Sequence, residues 1–290
     1  MNSNNAGTGW RVSPADVERI IPFELLLDHI AAERSAEWIA TRRYLHTHPE
    51  PSGDEIKTTQ FIAKRLSSLG IKPNIAERGV GIIADLKIGS PAADAPIVAI
   101  RADIDALRMH DRKGTEYASS CPGVAHACGH DAHTTVVLAT AELLTSLTSR
   151  LPESEVPSAH VRFIFQAAEE TAQGAHWMVE DGALKGVTSI LGLHVDPTIP
   201  AGKVGIRYGV LTAQVDEVLI EVHGKGGHAA RPQHTSDPIG TAAMLISALY
   251  QALPRRADSL IPTVFTIGSI HGGAASNVIP DLVEISGTLR

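Results

Sequence analysis

The stretch His126-Ala127-Cys128-Gly129-His130-Asp131-Ala132-His133 decides how this chain is read. Its eight residues hold five side chains that bind a metal or move a proton: three histidines, a cysteine and an aspartate. A thiolate and an imidazole two positions apart are metal-grade ligands, and Gly129 between them lets the backbone turn both toward one point. A single histidine here would read as a surface group. Five such groups directly before an apolar helical pattern point to a metal or catalytic site.

The flanks of this stretch alternate strand and helix patterns. Upstream, apolar residues recur at helical spacing from Ser13 to about Leu45, which predicts one or two helices broken near Pro22. Ser52 with Glu55 three positions on reads as a capping box opening a helix that ends at Gly70. Strand patterns follow at Gly81–Ile88 and Ile97–Ala102, the second leading into Asp103-Ile104-Asp105, and an irregular loop runs from Leu107 to Pro122. Downstream come a helix from about Thr134 to Leu147, a buried-type strand His160–Gln166 ending at Glu169-Glu170, a helix through Met178, and a strand Ser189–Leu193 ending at His194. The alternation predicts an α/β sheet with helices on its faces. Ligands of such sheets sit at the C-terminal ends of strands, where Asp105, Glu169, Glu170 and His194 all fall.

Past Tyr208 the pattern changes. Val215–Val222 alternates apolar and charged residues, then come a glycine-rich loop at Gly224–His228, a helix from about Asp237 to Leu253, and strands Thr263–Ile270 and Val278–Leu289. This β-α-β-β order predicts a second, smaller domain with its boundary near Thr212. The expected organisation is therefore a disordered tail over residues 1–12, a first domain over 13–211 and a second over 212–290.

Composition bounds the function. The 290 residues are 43% hydrophobic and 20% charged with a formal net charge of −7, which describes a soluble globular protein and argues against a nucleic-acid partner. No apolar run reaches a membrane span, and the Asn/Gly/Ser-rich start lacks the features of a signal peptide. Two cysteines are too few for a disulfide framework, so a reducing cytoplasm is expected.

Six groups of the first domain stand out chemically: Asp105, Cys128, His130, Glu169, Glu170 and His194. Adjacent glutamates after a strand point different ways, so one can bind metal while the other faces substrate. Thiolate, imidazoles and carboxylates together suit Zn, Mn, Co or Ni. More ligands than one tetrahedral ion needs suggests two divalent ions activating a water between them, with one glutamate free as general base. His46, His48, His126 and His133 are expected to support these ligands or the fold. A cysteine hydrolase built on Cys128 and a histidine is a further reading, but it leaves the glutamate pair and His194 unused.

Seven motifs in order carry a family resemblance: Arg42-Arg43-Tyr44-Leu45-His46-Thr47-His48-Pro49-Glu50, Arg101-Ala102-Asp103-Ile104-Asp105-Ala106-Leu107, His126–Asp131, Gln166-Ala167-Ala168-Glu169-Glu170, Leu193-His194-Val195, Gly224–Ala230 and Ser276-Asn277-Val278-Ile279-Pro280. Over nearly all of Arg42 to Arg290 the chain resembles the metal-dependent amidohydrolases. These include hippurate hydrolase, N-acyl-amino-acid amidohydrolase and the auxin-conjugate (IAA-amino acid) hydrolases, within the aminoacylase and glutamate carboxypeptidase superfamily of co-catalytic metallopeptidases. The resemblance implies a zinc-peptidase-like catalytic domain, a mixed sheet flanked by helices, with an inserted α+β lid that forms homodimers.

Residue by residue, the resemblance makes Cys128, His130, Glu170 and His194 metal ligands and Glu169 the general base. Asp105 orients a ligand, with Asp131 as a further support. Peptidase relatives carry a metal-binding histidine where this chain has Asp103, a departure shared by the amidohydrolase branch. His228 is implied to reach the partner's site in the dimer and steady an oxyanion, while Asn277 and Arg290 bind substrate. The implied reaction is hydrolysis of the amide bond of an N-acyl amino acid by a metal-activated water. The family's pattern continues past Arg290 and supplies a last metal-binding histidine. The chain is accordingly expected to be truncated at its C-terminus, and the rival reading is a catalytically incompetent fragment that keeps the motifs and associates at most through its lid.

Overall fold

A computed structural model of the chain describes residues 14–211, 213–258 and 260–290. The expected tail (residues 1–12) and Thr212, the expected boundary, lie outside the described residues. The chain forms two compact units, one through Thr198 and one from Ile199 to Arg290.

Helix α1 (Pro14–Thr47) is continuous, so the break expected near Pro22 does not occur. Helix α2 (Ile56–Ser68) starts later than expected, and neither Ser52 nor Glu55 caps it. Glu50 does so instead: its carboxylate accepts from Lys57 N at 3.2 Å, Thr58 N at 2.7 Å and Thr58 Oγ1 at 2.9 Å. A carboxylate on the first-turn amides satisfies donors the helix itself cannot, and it complements the helix dipole. Gly70, at φ +75, turns the chain out of the helix.

The first unit's sheet has the order β1-β2-β4-β3-β5. Its strands are β1 (Pro73–Ile75), β2 (Ile82–Ile88), β3 (Ile97–Asp103), β4 (Ala159–Gln166) and β5 (Val187–Gly192). β1 and β2 run antiparallel to their neighbours, whereas β3 is parallel to both β4 and β5. The chain therefore leaves β3, β4 and β5 at one common edge of the sheet. Helix α3 (His130–Arg150) follows the β3 loop, and α4 (Gly174–Glu180) follows β4. β4 is buried on both faces, as befits a central strand. Phe163 and Phe165 pack with Ile62 and Leu66 of α2 and Val137 and Ala141 of α3, while Ile164 points the other way toward Ala99 and Met178.

In the second unit, β6 (Asp216–His223), β10 (Leu282–Leu289) and β8 (Phe265–Gly272) form an antiparallel sheet in that order. Helix α5 (Pro238–Arg256) covers one face through Ala242, which packs with Val222, Val283 and Ile285. Asp237 caps α5 by accepting from Ile239 N at 2.9 Å. Short strands β7 (Gly227–His228) and β9 (Val278–Ile279) pair with each other. The single strand expected over Val278–Leu289 is thus split at Pro280, which has no amide hydrogen to give to a ladder.

Candidate metal centre

The centre forms where the chain leaves β3, β4 and β5. Helix α3 begins at His130, four residues before its apolar pattern, directly after Gly129 in a left-handed conformation at φ +91. Only glycine fits there, since a Cβ would lie 2.3 Å from Cγ2 of Val195. The tight turn brings Cys128 Sγ to 3.3 Å from Nε2 of His194, which follows β5. His194 Nδ1 in turn donates to the Val195 carbonyl at 2.7 Å, leaving Nε2 with its lone pair toward the thiol.

His130 is oriented from behind. Its Nδ1 donates to the Asp105 carbonyl at 3.0 Å and to Asp105 Oδ1 at 3.1 Å. Nε2 therefore carries the free lone pair. It is buried without a hydrogen-bond partner, 3.7 Å from Glu169 Oε2, 3.7 Å from Glu170 Oε1 and 3.6 Å from Asp103 Oδ2. Glu170 Oε1 is likewise buried and unpartnered. Ligand atoms of Cys128, His130 and His194 converge within 4.8 Å, and so do those of His130, Glu169 and Glu170. His130 is common to both groups.

Behind these groups stands a second layer of carboxylates. Asp105 Oδ2 accepts from Ser52 Oγ at 2.6 Å and from Glu170 N at 3.0 Å, so one aspartate fixes His130 and the Glu170 backbone together. Asp131 lies in the first turn of α3, where Arg42 Nε and His46 Nδ1 each donate to its Oδ2 at 2.8 Å. Asp103 accepts from Arg101 at 2.7 Å and from His133 Nδ1 at 2.6 Å, while His133 Nε2 accepts from Val195 N at 2.9 Å. Asp103 and His133 also lie within ligand range of His130, but both nitrogens of His133 are already committed. Of the other supporting histidines, His126 is buried with neither ring nitrogen bonded, and His48 stacks on Tyr44 with Nδ1 on the Tyr44 carbonyl. Ser52 and Glu55, which the sequence assigns to a helix cap, reach this centre instead.

The electrostatics follow from this crowding. Burial, then Glu170, Glu169 and Asp103, push the Cys128 thiol up to about 12. Burial and neighbouring carboxylates that disfavour the free thiolate speak against the cysteine-hydrolase reading. Burial also raises Glu169, with Asp103 and Glu170 reinforcing it and His130 opposing. At Asp105 burial acts upward, but the bonds from His130, Ser52 and Glu170 N outweigh it and hold the carboxyl low. A thiol crowded by carboxylates, beside a buried imidazole nitrogen with no partner, matches the donor set of a divalent cation.

The second unit holds the remaining predicted residues. Pairing of β7 with β9 sets His228 beside Val278, and Ala229 N donates to the Asn277 carbonyl at 3.0 Å, so His228 and Asn277 are neighbours. Arg290 follows β10 at the end away from that pair, with its backbone bonded to Val264.

A mixed α/β sheet that gathers thiol, imidazole and carboxylate side chains beyond the ends of three parallel strands has the architecture of a metallopeptidase-like protein. The model of Peptidase family M20/M25/M40 matches residues 99–280, and the chain belongs to that family. It is 42% identical to an N-acetyl-L-cysteine deacetylase of Bacillus subtilis over 87% of this chain and 58% of that protein. It is 38% identical to an N-acyl-L-amino acid amidohydrolase of Geobacillus stearothermophilus over 91% of this chain and 69% of the other. Among solved structures, the Bacillus subtilis YxeP protein, a dinuclear metal-binding peptidase of the same family, superposes with a TM-score of 0.63 at 38% identity, covering 88% of this chain and 64% of that one. The chain thus spans less than two thirds of the deacetylase and of the peptidase it matches.

Proposed function

We propose that the chain carries the centre of a metal-dependent amidohydrolase acting on N-acyl amino acids. The carrying observation is the buried, unpartnered Nε2 of His130, facing Glu169 and Glu170 at 3.7 Å in the group that adjoins the Cys128–His194 pair. Cys128, His130, Glu170 and His194 would hold two divalent ions (Mn, Zn, Co or Ni). Bound there, such ions supply charge that polarises an acyl oxygen and acidifies a water.

The protein's own residues supply the rest. Glu169, partly exposed and raised by burial, accepts the proton of the attacking water. The oxygen adds to the acyl carbon, the C–N bond breaks, and Glu169 returns the proton to the leaving amine nitrogen. His228 is suited to steady the oxyanion in a dimer. Its Nδ1 accepts from Ala230 N at 3.1 Å, so Nε2 carries the hydrogen and can donate it. Asn277 and Arg290, from the same unit, are assigned to the substrate's polar groups. In this reading the second unit is a lid and dimerisation domain and the first is catalytic. The free thiols Cys121 and Cys128 suit a cytoplasmic setting. Among the described residues no helix is long and apolar enough to cross a membrane. Two relatives named for acting on N-acylated amino acids support the substrate class.

The test is hydrolysis of N-acetyl- and N-benzoyl-amino acids by the purified chain with added Mn²⁺ or Zn²⁺. Turnover abolished by chelator and by Glu169→Gln supports the reading. A folded, metal-loaded chain with no turnover on any N-acyl amino acid overturns it.

A further inference from the structure

We infer that Glu55 is a positioning residue that holds the Glu169–Glu170 turn in place, an inference resting on the roles proposed for those two glutamates. Glu55 sits at the N-cap position of α2, yet its side chain makes no cap there. The residue is fully buried, and Oε1 accepts from Ala168 N at 2.7 Å, across 113 residues of sequence.

The turn it grips is strained. Ala168 at φ +49 and Ala172 at φ +55 are the only non-glycine residues with positive φ among the described residues, and they bracket the two glutamates. Side chains disfavour that region, so the surroundings must enforce it. Gly174 N and Thr171 Oγ1 close the turn on the Ala168 carbonyl at 3.1 and 3.3 Å. Gly174 must be glycine, since a Cβ would lie 1.5 Å from the Ala167 oxygen. Two buried carboxylates then hold the amides on either side of Glu169: Glu55 takes Ala168 N and Asp105 takes Glu170 N. Ser52, three residues before Glu55, fastens Asp105. A segment whose spacing matches a helix cap is thus turned under the centre, and it sets where both glutamate side chains start.

Two substitutions separate reach from charge. Glu55→Gln keeps an acceptor at full length without the charge, whereas Glu55→Asp keeps the charge and withdraws the acceptor by one methylene. Mn²⁺ titration by calorimetry and N-acyl-amino-acid kinetics are read on both variants, with thermal unfolding confirming the fold. Positioning predicts that Glu55→Asp weakens Mn²⁺ binding about tenfold. It also predicts a fall in kcat of about 100-fold with KM little changed. Glu55→Gln then restores both toward wild type. The reverse order, equal losses in both variants, or no change in either overturns the inference. If the wild type binds Mn²⁺ but hydrolyses no N-acyl amino acid, the function proposed above fails while the titration still decides the role of Glu55. A wild-type chain that takes up none of Mn²⁺, Zn²⁺, Co²⁺ and Ni²⁺ overturns both.

Discussion

Val195 donates its amide hydrogen to Nε2 of His133 at 2.9 Å, and that bond ties the segment bearing His194 to the helix bearing His130. The tie matters because β5 is an edge strand whose Ile190 and Leu191 are exposed. Asp103 sets the tautomer by accepting from His133 Nδ1 at 2.6 Å, leaving Nε2 as the acceptor.

His133→Ala should therefore weaken metal binding without touching a ligand. The expected loss is about 10- to 100-fold in Zn²⁺ affinity by competition titration, with Asp103 left short of one buried partner. An affinity equal to wild type in the folded variant would show that His194 needs no such tether.

Gly129→Ala addresses the same junction from the other side. A side chain at φ +91 carries a left-handed penalty of about 1–2 kcal/mol. The new Cβ also meets Val195 Cγ2 at 2.3 Å, so Val195 must shift and take His194 with it. Loss of thermal stability together with weakened Mn²⁺ uptake is expected. A stability loss with unchanged uptake would mean that the displaced segment does not carry a ligand.

The sequence reveals most of the scaffold, because its signals are local. Strand-like apolar stretches mark β2, β3, β4 and β5, and Cys128 and His130 flank Gly129 at the spacing read as a metal motif. Two of the failures share one cause, distant partners that a local pattern does not show. Ser52 and Glu55 match a capping box, yet Asp105 and Ala168 claim their side chains and Glu50 takes over the cap. Asp103 and His133 lie 30 positions apart, so their pairing is visible only once β3 and α3 are packed. β1 is three residues long and lacks the run that periodicity needs. Pro254 shows that proline alone is weak punctuation: it sits inside the last turn of α5 as Pro22 sits inside α1.

Buried His126 gives the fold a pH dependence of definite sign. Burial lowers its pKa from 6.5 to about 4, with Asp131 opposing, and neither ring nitrogen has a partner. Below pH 6.5 the unfolded chain binds a proton that the folded chain refuses. The stability this group provides is therefore complete above 6.5 and is lost as pH falls toward 4. At about pH 5 the loss amounts to roughly 2 kcal/mol. His126→Phe should remove that share of the acid sensitivity, read as a smaller difference between urea midpoints at about pH 7.5 and about pH 5. An identical difference in variant and wild type would refute the assignment.

Metal removal should cost stability in proportion to how the ligands are placed. His130 Nε2 and Glu170 Oε1 are buried without a protein partner, and the Cys128 thiol is crowded by carboxylates. A cation relieves all three, and at 100 times its dissociation constant one bound ion stabilises the folded state by about 2.7 kcal/mol. Mn²⁺ added to chelator-treated protein should thus raise the melting temperature, and Glu170→Gln should lose much of that rise because a carboxamide offers no charge. Glu169→Gln should keep most of it while losing turnover, since the role proposed for Glu169 is to move a proton and not to hold the ion. If Glu169→Gln abolishes the metal-induced rise and Glu170→Gln leaves it intact, the roles of the two glutamates are exchanged.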